Sequence, residues 1–130
     1  MSSRAWADKV TKGDPKVEIS VNTENATAVV TISGRLDLFE GYELRDKIRG
    51  IFRNGCRSIV FDCRDVSYVD STGLGLILQV SHWAEEHMGR AVVVSPSEAF
   101  STVLSTMRLD RVIPVYESKE EALSVLSLPA

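Results

Sequence analysis

The sequence predicts an α/β fold on a mostly parallel sheet, and three observations carry that prediction. From residue 28 onward, short apolar runs alternate with longer segments of helical spacing. The run Ala91-Val92-Val93-Val94 is continuously apolar, as a strand covered on both faces must be. Helix-start signals, Ser95-Pro96-Ser97-Glu98 and Ser118 with Glu121, lie directly beside strand-like runs.

Taken in order, Val17, Ile19 and Val21 alternate with Glu18, Ser20 and Asn22, the period of a half-buried strand. Thr23-Glu24-Asn25 makes a turn, and Ala28 to Ile32 follows as its antiparallel hairpin partner. Asp37 with Glu40 three residues on has capping-box spacing, and Leu44, Ile48, Ile51 and Phe52 form the apolar stripe of a first helix. Asn54-Gly55 ends it. Ser58 to Asp62 is the next strand, and a loop over 63–71 leads into a central helix from about Thr72 to Met88. After Ala91–Val94, Ser95 caps a helix with Pro96 in its first position, and Phe100, Val103, Leu104 and Met107 repeat on one face. Val112 to Val115 is a short last strand, placed at an edge or strand end by Pro114. Ser118 then opens a final helix with Ala122, Val125 and Leu126 inward. The order β-β-α-β-α-β-α-β-α implies right-handed crossovers onto parallel strands, with the first hairpin adding an antiparallel edge strand. Residues 1–15 lack periodicity and read as a loose arm, leaving 16–130 as the domain.

The 130 residues, 44% hydrophobic and 25% charged, have the composition of one ordinary globular domain. A net charge of −3 gives no reason to expect direct nucleic-acid contact. No apolar run has the length of a membrane span and the N-terminus has no signal-peptide core, so a cytoplasmic protein without membrane insertion is expected. Cys56 and Cys63 form neither a CxxC motif nor a metal set and are expected as reduced thiols. His82 and His87 fall five apart on one helix and diverge, so they read as helix-surface residues, and no metal site is expected.

The stretch Asp70-Ser71-Thr72-Gly73-Leu74-Gly75 lies where a strand-following loop enters the central helix. Ser71 or Thr72 either caps that helix or holds an exposed hydroxyl for modification or binding. The two glycines leave the backbone of the turn open, and a polar cluster at the positive end of a helix can hold an anion. Asp37, Asp62, Asp70 and Ser71 are expected to converge beyond the carboxyl ends of the parallel strands. The central helix also has two apolar stripes. Leu74, Ile77, Leu78, Ser81, Ala84 and Met88 suit the sheet, while Leu76, Val80, Trp83 and His87 fall nearly opposite. The second stripe is either covered by the first helix or exposed for docking; Leu76 and Val80 are assigned to docking, Trp83 and His87 to the helix contact.

The segment Val66-Ser67-Tyr68-Val69-Asp70-Ser71-Thr72-Gly73-Leu74-Gly75-Leu76-Ile77-Leu78 resembles the signature of bacterial anti-sigma-factor antagonists, the STAS domain family. Gly34-Arg35-Leu36-Asp37 resembles the family's shorter signature at the end of its second strand, and the resemblance spans about residues 16–128. It implies the STAS fold, which has the same element order. It implies that the unphosphorylated protein binds an anti-sigma factor that is also a serine kinase, freeing a sigma factor. The kinase, using its own ATP, would phosphorylate Ser71, and a serine phosphatase would reverse the step. Thr72 is the second candidate acceptor, Asp70 the acceptor's neighbour and Asp37 part of the binding surface. No cofactor of the chain's own is implied. The candidate partner-binding set is Asp37, Asp70, Ser71, Thr72, Gly73, Leu74, Gly75, Leu76 and Val80. The alternative reading is a STAS subunit of a membrane transport complex or signalling scaffold. A hydrolase using Ser71 is not expected, because no Gly-x-Ser-x-Gly elbow exists and both histidines lie at least three helical turns away.

Overall fold

The computed structural model describes residues 16–22, 25–36 and 38–126. The arm over 1–15, the turn residues Thr23 and Glu24, and Asp37 with its capping box lie outside them. The elements are β1 (Lys16–Asn22), β2 (Thr27–Leu36), α1 (Leu38–Arg53), β3 (Ser58–Val69), α2 (Ser71–Glu86), β4 (Ala91–Val94), α3 (Glu98–Thr106), a 3₁₀ turn (Leu109–Arg111), β5 (Val115–Tyr116) and α4 (Lys119–Leu126). The sheet order is β1-β2-β3-β4-β5, with β1 antiparallel to β2 and every other pairing parallel. The expected order of strands and helices is the observed one.

The parallel strands are laid down in one direction across the sheet, so each right-handed crossover brings its helix to the same face. Ile48 and Phe52 of α1, Ile77 and Val80 of α2, and Phe100 and Leu104 of α3 accordingly share one core with the sheet. α4 makes no crossover and closes the other face, where Ala122, Leu123 and Leu126 pack on Val60, Val92 and Val94. Leu123 takes the inward place expected of Val125. The run Ala91–Val94 is buried throughout, because its alternate residues belong to the two different cores.

Three elements differ from the sequence expectation. β3 continues to Val69 through residues read as a loop. Its ladder with β2 is irregular between Thr31 and Ser33 and between Gly34 and Arg35, where β3 spends one extra residue each time. Burial in the outer half of β3 therefore recurs every third residue, at Cys63, Val66 and Val69. The helix after β4 is capped by Ser97, whose hydroxyl oxygen accepts from the Phe100 N–H at 3.1 Å. Ser95 instead takes a left-handed conformation (φ 48°) and donates its hydroxyl to the Glu117 carbonyl at 2.9 Å. The last strand is Val115–Tyr116, because Leu109–Arg111 takes up chain in a 3₁₀ turn. As expected, Pro114 stands just before this edge strand.

The loops are closed by backbone geometry. Gly55 (φ 105°) ends α1 in a Schellman motif, its N–H on the Phe52 carbonyl and that of Cys56 on Ile51. α2 ends in the same way, with Met88 (φ 67°) in the left-handed position and the Gly89 N–H on Ala84. Met88, expected on the buried face, is thus outside the helix and 85% exposed. Gly89 passes so close to β3 that a Cβ there would stand 1.9 Å from the Arg57 carbonyl oxygen, whereas one at Gly50 in α1 would meet nothing within 4 Å. Gly89→Ala is expected to lose about 3 kcal/mol of stability and Gly50→Ala to gain about 0.5–1 kcal/mol, read from urea unfolding midpoints.

Candidate functional site

The central motif is placed by the β2–β3 ladder. Leu36 pairs opposite Val69, the last residue of β3, and Asp70 follows it directly. Asp70 is the N-cap of α2. Its backbone is extended (φ −117°, ψ −174°), and Oδ1 accepts from the N–H groups of Thr72 at 3.0 Å and Gly73 at 3.1 Å. The capping role expected of Ser71 or Thr72 belongs to this carboxylate. Both hydroxyl residues are exposed in the first turn of the helix. The amides expected to be open to an outside anion are in part already engaged, by Asp70 itself.

The two glycines have different work. A Cβ on Gly73 would stand 2.6 Å from the Leu36 carbonyl oxygen and 2.9 Å from Leu36 Cγ, so this glycine lets α2 approach the end of β2. Gly75 is exposed with nothing within 4 Å, and only there is the backbone open as expected.

The docking stripe is corrected. Leu76 is 6% exposed and Val80 0%, and both belong to the core. The reason is the neighbouring helix: α1 lies against this side of α2, with Phe52 edge-on to Trp83 at 6.2 Å and stacked on His87 at 5.0 Å. Trp83 and His87 make the helix contact expected of them. Leu74 is buried on the sheet side. From the candidate set, Asp70, Ser71, Thr72 and Gly75 remain at the surface, and Asp37 lies outside the described residues.

Asp62 does not join the cluster. Its ladder position opposite Thr31 and that of Val69 opposite Leu36 lie about 17 Å apart at ~3.3 Å per residue of β2. There Asp62 accepts from the Arg64 N–H at 3.3 Å. Burial, and secondarily the Asp62 charge, push the adjacent Cys63 thiol above its usual range; burial does the same for Cys56. Both are free thiols held in the protonated, unreactive form.

One pair was not singled out from sequence. Arg35 lies opposite Tyr68 on the ladder, with its guanidinium 4.1 Å above the exposed ring. Each residue stands within one of the two signatures, Gly-Arg-Leu-Asp and Ser-Tyr-Val-Asp. Their spatial pairing needs the register, which no single segment contains.

Residues 18–122 match the STAS domain, and the chain belongs to that family. The anti-sigma F factor antagonist of Paenibacillus polymyxa is 25% identical over 113 residues, covering 86% of this chain and 97% of that protein. The fold matches the anti-sigma factor antagonist SpoIIAA in its unphosphorylated form, at 24% identity and TM-score 0.75 over 88% of this chain and 99% of that one. It also matches the Bacillus cell fate determinant SpoIIAA in the phosphorylated form, at 26% identity and TM-score 0.66 over 83% and 96%. Antagonists of this family are regulators rather than enzymes. Among the described residues no helix is long and apolar enough to cross a membrane.

These placements separate cap, surface and core. Asp70→Ala is expected to cost about 1 kcal/mol as a lost cap and Ser71→Ala less than about 0.5 kcal/mol. Leu76→Lys, which forces an ammonium between two helices, is expected to unfold the chain. Thermal melts followed by circular dichroism distinguish the three.

Proposed function

We propose that this protein is an anti-sigma-factor antagonist switched by phosphorylation of Ser71. In its unphosphorylated form it binds, in the cytoplasm, an anti-sigma factor that is also a serine kinase, and binding frees a sigma factor. The observation that carries this reading is the exposed Ser71 hydroxyl in the first turn of α2, held on a helix whose cap is another residue. The acceptor can therefore be modified without undoing the helix start. The relatives named above, one of them observed in both phosphorylation states, support the same reading.

The chemistry is transfer of the γ-phosphoryl group of the kinase's ATP. An O–P bond forms at Ser71 Oγ, the bond to the leaving ADP breaks, and the hydroxyl proton passes to a base of the kinase. The chain itself supplies an acceptor and needs no cofactor. The phosphoryl group adds about −1.5 to −2 charges and three acceptor oxygens. It enters next to Asp70, which already occupies the Thr72 and Gly73 N–H groups, so its charge acts outward on whatever faces the helix start. Like charges brought together at an interface cost several kcal/mol, enough to weaken binding about 100-fold or more. A serine phosphatase restores the binding form. Asp37, Asp70, Thr72 and Gly75 complete the proposed partner surface, while Leu76 and Val80 act from beneath by fixing α2.

The test is incubation with the cognate kinase and ATP, read by intact mass and by calorimetry. Wild type is expected to gain one phosphoryl group and lose affinity; Ser71→Ala is expected to stay unmodified and bind constitutively. Stoichiometric modification of Ser71→Ala would move the acceptor to Thr72. Asp37→Ala with unchanged affinity would remove Asp37 from the surface.

A further inference from the structure

Away from the Ser71 turn, α1 carries Arg45, Arg49 and Arg53, each one helical turn from the next. In a chain with 18 acidic and 15 basic residues, this row concentrates charge of the minority sign on one helix face. Arg49 and Arg53 line a cleft of about 210 Å³ between α1 and α2, together with Phe52, Trp83, Glu86 and His87. The guanidinium groups are held against rings: Arg45 lies 5.2 Å from the Tyr42 centroid and Arg49 lies 5.4 Å from that of Trp83. Glu86, the one acidic residue of the cleft, is 3.8 Å from His82 Nε2. Among the described residues no carboxylate pairs with any of the three arginines, and Arg45 Nε is buried without a hydrogen-bond partner.

Arg49 and Arg53 are exposed, with guanidinium donors that no carboxylate among the described residues takes up, and a carboxylate is the group whose geometry they match. The arginines repeat at about 6 Å along α1, the rise of four residues at ~1.5 Å each, and carboxylates at i and i+4 on another helix repeat at the same interval. The aromatic wall of Trp83, Phe52 and His87 adds an apolar floor at one end of the row.

We propose that the α1–α2 cleft docks an acidic helix of a protein partner, carrying carboxylates one turn apart that pair with Arg45, Arg49 and Arg53. This surface is separate from Ser71, and its occupation does not require phosphorylation.

The probe is a fluorescein-labelled, alanine-rich helical peptide with Glu at every fourth position, compared with the same peptide carrying Gln, by fluorescence anisotropy at low ionic strength. The chain is expected to bind the Glu peptide at least ~30-fold more tightly, with the preference shrinking as salt is added. Arg45→Gln/Arg49→Gln/Arg53→Gln is expected to erase the preference. Arg53→Glu, at an exposed position that the fold does not need, is expected to weaken Glu-peptide binding about tenfold or more even if the triple variant unfolds. Ser71→Ala is expected to retain the full preference, which keeps this surface distinguishable from the phosphorylation switch. Equal affinity for the two peptides, or a preference left undiminished by Arg53→Glu, would overturn the proposal.

Discussion

The parallel ladder between β2 and β3 is the contact on which the site depends. It joins two segments more than thirty residues apart and sets Leu36 opposite Val69. Asp70 follows Val69 directly, and its carboxylate starts α2 where the ladder ends. The two extra residues in β3 are part of the same device, since they carry the strand past the end of β4 while keeping Cys63, Val66 and Val69 in the core. Beyond Val94 this length of β3 has no β4 residue beside it. Ser97 takes that place: its N–H bonds the Cys63 carbonyl at 3.0 Å and its hydroxyl donates to the Val66 carbonyl at 2.6 Å. One residue thus caps α3 and satisfies the strand that leads to the motif.

The pairing of α1 with α2 is the second constraint. A helix lying on a sheet needs one apolar stripe, and α2 has two because it meets the sheet on one side and α1 on the other. Leu76 and Val80 belong to that second contact, as Gly73 belongs to the close approach of α2 to Leu36. The motif's apolar residues and first glycine hold the helix start in place from below. Its acid and hydroxyls occupy the surface above. Position, rather than exposure of the whole segment, is what the motif's sequence encodes.

This division explains what could be read from the sequence. Element order, sheet class and the location of the motif followed from local patterns: alternation in β1, the apolar run of β4, the capping box at Ser118, where the Glu121 N–H does bond the serine hydroxyl at 3.1 Å. What failed needed a neighbour. Residues 63–69 looked like a loop because two irregularities break the two-residue period that marks a strand. Ser95 has the spacing of the cap, but its hydroxyl goes to the Glu117 carbonyl just after β5, and Ser97 caps α3 in its place. Leu76 looked available for docking because amphipathic spacing says which residues share a face but not what lies against it. The Asp70 cap was masked by two adjacent hydroxyl residues equally able to fill the role.

β1 has a consequence for the solution behaviour of the chain. Without it, the parallel sheet would end at β2, whose Ala28, Val30 and Ile32 are completely buried and whose neighbouring side would present unpaired backbone. Such an edge is a template for pairing with other chains, the first step of aggregation. The antiparallel hairpin moves the boundary outward by one strand, to a sequence in which Glu18, Ser20 and Asn22 interrupt the apolar residues. β1 thus works as a guard strand: it adds little to the motif end of the molecule, yet it lets a buried type of sheet stop in water.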